Sequence, residues 1–385
     1  MSNPSDSFEP RWRSAIEFYI ELCSSEATVE AIAADGWPVP MARRGLEMHK
    51  RTWDPESVAA VVEDELAPFG GTRALVESID SRRVVAPGRI NHIWPALPGA
   101  GVTPVLFGYL IGAEQGVRGS SRGRVFAKHF VDTWRDVLGE NLELIDPDWW
   151  DADVVVVSGS DQTVADVSDI ARQRGGDVQV TGYGHRVSFA VVVDEDTSFE
   201  AHAPSLATDI VMWHQRGCFS CRSVVFVGSK ARCERFCRHL ADEIAQAEHR
   251  LGADDVSEGE LARRAQARGT AEFAGPVWGD GVGWTTMTDQ PWAGDAPSAH
   301  AVTVHRIDGI DELSDVVDVE PRHLQGVALS VPPTRRDPWQ DALVDLGVTR
   351  ICEPGLLQQP PASWPHDGRP NILDWMRIVH LDRTD

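Results

Sequence analysis

Lysine, tyrosine and cysteine are all scarce in these 385 residues, and no stretch of 18 apolar residues occurs anywhere. The missing apolar run excludes a membrane-spanning helix. The opening MSNPSDSFEPRWRS has neither the basic start nor the apolar segment of a signal peptide, which predicts a cytoplasmic protein. Six cysteines, four of them within twenty residues, are too few and too clustered for a secreted disulfide scaffold. Positive charge is also short: 36 Lys and Arg, nearly all Arg, face 59 Asp and Glu, for a formal net charge of −23. Such a surface repels phosphate backbones and anionic lipid headgroups, so neither general nucleic-acid binding nor membrane insertion is expected. The acidity reads first as a solubilising surface and second as adaptation to a salty cytoplasm.

What is present is ample core material: 42% of residues are hydrophobic and 8% aromatic. At roughly 100 to 200 residues per domain, the length predicts two globular units. The first ninety residues read as helical. Trp12, Ile16, Tyr19, Ile20 and Cys23 share one helical face, as do Val58, Val61, Val62, Leu66 and Phe69. Asp54 is the expected N-cap of the second helix, with Pro55 at its first position and Gly70-Gly71 at its end.

From Arg89 the pattern changes to strand, small-residue turn and helix, repeated. Ile90 to Trp94 leads into Pro98-Gly99-Ala100-Gly101-Val102-Thr103-Pro104 and an apolar helix from Val105. Gly116 to Arg122 reads as a strand ending in a basic, hydroxyl-rich loop. Asp153 to Val157 has the unbroken apolar character of a strand buried on both faces, followed by Ser158-Gly159-Ser160-Asp161 and a helix from Gln162 to about Gln173. Strands are expected at Asp177 to Val180, Ser188 to Val193 and Ser223 to Val227, and a long helix at Lys230 to about Leu251. The alternation predicts an α/β fold of doubly wound type, with ligands at the carboxyl ends of its strands.

The cysteines read C-x2-C-x11-C-x3-C, and three readings stand side by side. Zinc ligation fits the count, but Cys233 and Cys237 share a face with Phe236, Leu240 and Ile244 and read more simply as buried apolar residues. Cys218 and Cys221 could form a reactive dithiol. Alternatively, Cys218 is a nucleophile in the turn after an amphipathic helix, its own N–H helping to hold an oxyanion. His214, four residues earlier, would share its helical face and could lower the thiol pKa or relay a proton; equally, it could be a packing histidine.

Several segments in order resemble the acyl-CoA reductases of the LuxC type, in the aldehyde dehydrogenase superfamily. Gln215-Arg216-Gly217-Cys218-Phe219-Ser220 is similar to their QxxCxS nucleophile segment, Pro98 to Pro104 to their PGNVP loop, and Val117 to Arg122 to their KxSSR segment. Ser158-Gly159-Ser160 resembles the glycine turn of the cofactor domain. Gly182 to Phe189 matches the stretch ahead of the nucleophile, and Gln358 to Gly368 with Trp375 to Val379 the closing segment.

The resemblance implies an aldehyde dehydrogenase-like architecture: N-terminal helices (1–88) packed on a dinucleotide-binding α/β domain (89–181), a catalytic α/β domain (182–355) and a C-terminal return segment (356–385). It implies NADPH-dependent reduction of a fatty acyl thioester, acyl-CoA or acyl-carrier protein, to the aldehyde through an acyl group on Cys218, by a homo-oligomer that needs no metal. The cleft between the two α/β domains would hold cofactor and acyl chain. By the same resemblance Gly101, Thr103, Arg118, Ser120, Gly159, Ser160, Gly184, His185 and Glu353 would bind the cofactor. Trp213, Phe219 and Trp278 could line an acyl channel, and Arg118, Arg122, Arg186 and Arg216 supply local positive charge. Two departures matter. The PGNVP asparagine is missing from Ala100-Gly101-Val102-Thr103, so backbone N–H groups must hold the oxyanion. Thr181-Gly182-Tyr183-Gly184-His185 lacks the glutamate of aldehyde-oxidising relatives, which favours reduction. The missing asparagine also motivates an alternative: a degenerate, non-catalytic member that binds acyl thioesters or a partner.

Overall fold

A computed structural model describes residues 5–52, 55–139, 141–146, 148–174, 177–194, 199–253 and 257–382. The chain forms two compact units. One comprises Met1–Trp37, Leu46–His185 and Pro361–Asp385; the other comprises Pro38–Gly45 and Arg186–Pro360. Pro38–Gly45, in the stretch expected to be wholly N-terminal helical packing for the cofactor unit, thus joins the second unit.

The first unit opens with helices α1 (Ser5–Ser24), α2 (Glu26–Ala34), the latter part of α3 (Val39–Thr52) and α4 (Pro55–Leu66). Ile16, Tyr19 and Cys23 are buried as their spacing requires, and so are Val61, Val62 and Leu66. Gly70 ends the region with φ 102°, a left-handed cap that favours glycine. The Asp54 cap and the Val58 side chain lie outside the described residues.

Then come β1 (Arg82–Val85), β2 (Arg89–Ile93), α5 (Val102–Leu110), β3 (Glu114–Arg118), α6 (Arg124–Leu138), β4 (Leu142–Leu144), β5 (Val154–Ser158), α7 (Asp161–Gln173) and β6 (Gln179–Tyr183). The five strands after β1 form one sheet in the order β4-β3-β2-β5-β6, parallel throughout. Counted along the chain this is 3-2-1-4-5, the dinucleotide-binding order, and it reverses direction between β2 and β5. Four consecutive valines of β5 are buried, as befits β-branched residues covered on both sheet faces. The expected strand at Asp177 to Val180 begins two residues later and runs on to Tyr183, so the glycine of Gly182-Tyr183 lies within the first sheet.

The second unit holds β7 (Val187–Val193), α8 (Phe199–Val211), β8 (Cys221–Val227), α9 (Lys230–Leu251), α10 (Glu258–Ala274), β9 (Val277–Trp278), β10 (Trp284–Thr288), β11 (Ala301–Ile307), a short α11 (Leu313–Val316), β12 (Leu324–Ser330), α12 (Arg336–Asp345) and β13 (Arg350–Cys352). Its sheet runs β13-β12-β7-β8-β11-β10-β9, parallel except for the β9–β10 pair. Every residue of β7 and of β12 is buried. The final β14 (Arg377–His380) returns to the first unit and pairs antiparallel with β1. Among the described residues no helix is long and apolar enough to cross a membrane.

Candidate functional site

In the first unit, the topological switch point places the loops after β2 and β5 side by side, since Ile93 pairs with Val157. Ligands of such sheets bind outside the carboxyl ends of strands at this reversal. The loop after β2 carries Gly101 and leads into α5, whose second residue is Thr103, and the loop after β5 carries Gly159 and Ser160. The two following helices offer different N-termini. Ser160 caps α7, its Oγ accepting from the Thr163 N–H at 3.1 Å, and Asp161 already supplies negative charge in the first turn. Helix α5 has no side-chain cap and no acid in its first turn. The positive end of its dipole therefore remains available to an anion, with Thr103 contributing a hydroxyl there.

The glycines singled out from the sequence answer to the protein's own packing. A Cβ on Gly101 would lie 2.2 Å from the Trp94 ring, one on Gly184 2.1 Å from Asp161 Oδ1, and one on Gly159 3.1 Å from Thr163. Asp161 Oδ1 also accepts from the His185 N–H at 2.7 Å, so this carboxylate fixes the Gly184-His185 turn. Arg118, at the end of β3, pairs loosely with Asp146 at 3.4 Å, both side chains partly exposed. Ser120 Oγ is buried without a hydrogen-bond partner among the described residues. An uncapped helix start at the switch point, with an orphaned hydroxyl in the neighbouring loop, fits a dinucleotide.

In the second unit, the stretch around Cys218 departs from the helical expectation. Helix α8 ends at Val211, and Trp213, His214 and Gln215 follow with φ of 53°, 51° and 59°. Three consecutive left-handed residues without a glycine are costly, so His214 is not one helical turn from Cys218 on a shared face. What holds this turn is Gln215. Its Nε2 donates to Cys221 O at 2.7 Å and to Ala301 O at 3.3 Å, while its Oε1 accepts from the His300 N–H at 2.9 Å. The QxxCxS glutamine is thus a clamp between the turn and the starts of β8 and β11.

The Cys218 backbone is fixed from two further strands. Ser188 Oγ, on β7, donates to Cys218 O at 2.8 Å and accepts from the Gly326 N–H of β12 at 3.1 Å. Ser220 Oγ accepts from the Gly217 N–H at 3.1 Å and from Gln358 Nε2 at 3.2 Å. Ser188, Cys221, Ala301, Gly326 and Arg350 all lie at or near the first residues of parallel strands. The Cys218 loop therefore sits at the amino edge of its sheet, not at the carboxyl edge expected for such strands. Ser188 left one sequence trace: it is the only polar residue in VSFAVVV.

Gln358 is placed by two buried charged side chains, Asp209 and Arg350, that sequence reasoning missed. Asp209 Oδ2 accepts from the Gly355 N–H at 2.6 Å. Arg350 donates to Leu357 O at 2.7 Å, Leu356 O at 2.6 Å and Gln359 O at 2.9 Å, and its guanidinium lies over the Phe219 ring. Burial pushes the Asp209 carboxyl up to about 7, against the pull of the Gly355 amide and the Arg350 charge.

The remaining candidates are placed as follows. Cys218 is partly buried; Cys221 is fully buried, and its thiol donates to Ser223 O. Neither forms a disulfide among the described residues, and burial raises the Cys221 pKa well above the ordinary thiol value. Cys233 and Cys237 are buried on α9. Among the described residues no group of three or more His, Cys, Asp or Glu could hold a metal ion. Trp213 is buried against Gly45, Phe219 against Gly326, and Trp278 is half-buried on the short edge strand β9. Glu353 Oε1 accepts from Arg336 at 3.3 Å at the surface. Arg222, one residue into β8, has a buried Nε with no hydrogen-bond partner among the described residues, and the charges that act on its guanidinium are those of Asp295 and Cys218.

The model of the acyl-CoA reductase (LuxC) family matches residues 139–378. The long-chain acyl-protein thioester reductase of Vibrio harveyi is 25% identical over 350 residues, covering 86% of this chain and 70% of that protein. The long-chain acyl-protein thioester reductase 2 of Photobacterium leiognathi is 24% identical over 322 residues, 78% of this chain and 65% of its own length. Among solved structures, an oxidoreductase from Marinobacter aquaeolei superposes with a TM-score of 0.70 at 12% identity, over 97% of this chain and 85% of that one. The NADP-dependent glyceraldehyde-3-phosphate dehydrogenase of Bacillus halodurans, complexed with NADP, gives 0.69 at 12% identity, over 97% and 87%. The fold is aldehyde dehydrogenase-like, and the chain belongs to the acyl-CoA reductase (LuxC) family of oxidoreductases.

Proposed function

We propose that this protein reduces a fatty acyl thioester, delivered on CoA or on a carrier protein, to the aldehyde, with Cys218 as nucleophile and NADPH as hydride donor. The observation that carries this reading is the Cys218 turn, whose backbone is tied to β7, β8, β11 and β12 by Ser188, Gln215 and Ser220. A thiol held this rigidly is preorganised for attack on a carbonyl carbon. The Cys218 sulfur would displace the donor thiolate to give an enzyme thioester. NADPH, when bound, supplies the hydride that reduces it. Collapse of the resulting thiohemiacetal returns the Cys218 thiolate and releases aldehyde.

The cofactor's pyrophosphate is assigned to the α5 N-terminus with Gly101 and Thr103. Gly159, Ser160, Gly184 and His185 shape the neighbouring turns, and Arg118 and Ser120 lie on the adjoining loop. Glu353 is assigned to the ribose. The relatives' printed names support an acyl-protein thioester as substrate, and the NADP complex of one structural neighbour supports a nicotinamide cofactor.

Incubation with a mass-tagged acyl-CoA tests the reading. A tag on the Cys218 peptide that disappears in Cys218→Ala, together with NADPH oxidation, is the expected result. Acyl-CoA binding without covalent transfer would leave the degenerate, binding-only member instead.

A further inference from the structure

Among the described residues, seven other than glycine have positive φ, and four of them, Trp213, His214, Gln215 and His300, meet around one hydrogen bond. Such strain persists only where surrounding contacts over-determine the backbone, and it gathers at functional sites. Trp213, His214 and Gln215 form the turn before Cys218. His300, fully buried ahead of β11 with φ 63°, lies outside every motif, and so does the group that holds it. His300 Nδ1 lies 2.6 Å from Glu248 Oε1. A carboxylate only accepts, so the ring donates from Nδ1. On its other side His300 Nε2 lies 3.2 Å from His214 Nδ1, and the two imidazoles stack with 14° between their planes.

Glu248 stands in an unfavourable place for an acid. It is 3% exposed, which costs a charged group its hydration, and it lies in the last turn of α9, where the helix dipole repels negative charge. Its backbone is fixed there: Gly252 caps the helix with φ 63°, and the Ala253 N–H donates to Glu248 O at 2.9 Å. The loop ahead of β10 leaves room for the pair, since a Cβ on Gly283 would lie 3.1 Å from Glu248 Oε1 and 2.8 Å from His300 O. The bond to His300 offsets the penalties of burial and dipole.

We propose that Glu248 and His300 are positioning residues for Cys218, acting through Gln215. Three hydrogen bonds run in series. Glu248 holds the His300 ring, and the ring, held at both edges, keeps the His300 backbone left-handed with its N–H aimed at Gln215 Oε1, 2.9 Å away. Gln215 Nε2 in turn holds Cys221 O at 2.7 Å. Cys218 lies midway between those two clamped residues, three positions from each. Without Glu248 the His300 backbone is released toward negative φ, which takes its N–H from Gln215 and slackens the segment that carries the thiol. The inference rests on the reading of Cys218 as nucleophile.

The test compares two reactions of the same thiol in the full chain, read by peptide mass. Acyl transfer from a mass-tagged acyl-CoA needs the sulfur aligned on a carbonyl carbon, whereas alkylation by freely diffusing iodoacetamide does not. In Glu248→Met, single-turnover acyl transfer to Cys218 should fall roughly tenfold to a hundredfold, with alkylation at the same pH little changed. Glu248→Gln, whose amide oxygen accepts the same hydrogen bond, should restore most of the rate. Because the effect passes through Gln215, the double variant with Gln215→Met should lose little more than the worse single variant. In the parent chain the His300 amide should be protected from hydrogen exchange. Equal acyl transfer in parent and Glu248→Met overturns the inference alone, as do losses that multiply in full or a fast-exchanging His300 amide. A fall in alkylation as large as the fall in acyl transfer also overturns it, since positioning is then not what changed. A parent chain that is alkylated but takes no acyl group overturns the nucleophile reading, and this inference with it. Thermal melts accompany each variant. If Glu248→Met unfolds, Glu248→Asp, one methylene too short to reach His300, takes its place, and the parent exchange rate decides where both unfold.

Discussion

Arg222 puts a guanidinium where the sequence motif shows only the residue after Cys221. Its Nε is buried without a partner among the described residues, and burial lowers its pKa while Asp295 and Cys218 pull it back up. The interaction is mutual: a cation beside a thiol favours the thiolate. Replacing Arg222 by Met should raise the apparent pKa of Cys218 alkylation by roughly one unit, whereas Arg222→Lys should keep most of the effect because it keeps the charge. Identical profiles in parent and Met variant would remove Arg222 from the site. Gly101 gives a prediction of the opposite kind. Its missing Cβ makes room for the Trp94 ring, so Gly101→Ala should cost about 1–3 kcal/mol by overpacking. The loss should show in thermal unfolding without any cofactor present.

The element that couples these residues is the loop from Gly355 to Gln359, gripped on its amide side by Asp209 and on its carbonyl side by Arg350. Removing Arg350 leaves the buried or part-buried carbonyls of Leu356, Leu357 and Gln359 without their donor, at a cost of roughly 1–3 kcal/mol. Arg350→Met should therefore destabilise the second unit by that order, and it should loosen Gln358 from Ser220. Hydrogen exchange at Gly217 and Ser220 should rise in the variant, and unchanged protection there would show that the loop does not brace the Cys218 turn. This bracing was hidden in the sequence. Asp209, Ser188 and Gln358 lie 9, 30 and 140 residues from Cys218, and only the parallel register of β7, β8 and β12 brings their contacts together. The strands themselves were legible, because runs such as Val154–Val157 are apolar and β-branched. The His214 turn was not, because Trp, His and Gln carry no signal for positive φ of the kind that glycine or asparagine gives.

At the scale of the whole molecule, buried titratable groups set how stability follows pH. His49, His92 and His214 are each lowered to about 4, in every case chiefly by burial. In the unfolded chain they take protons near 6.5, so between 6.5 and 4 the unfolded state binds more protons than the folded one. Their stabilising contribution is complete above 6.5 and is lost as pH falls, by up to about 1.4 kcal/mol per pH unit for each group. Asp209 acts with the reverse sign. Its folded value of about 7 lies above the ordinary 3.8, so the folded state holds a proton that the unfolded state has released. That contribution grows as pH falls from 7 toward 4 and opposes one histidine. His129, His300 and His305 are also lowered by burial and act in the same direction, so acidification brings a net loss. The denaturant midpoint should fall between pH 6.5 and 5. In Asp209→Asn, which removes the opposing group, it should fall more steeply. A midpoint that stays level or rises over this interval in the parent chain would show that these histidines are protonated within the fold.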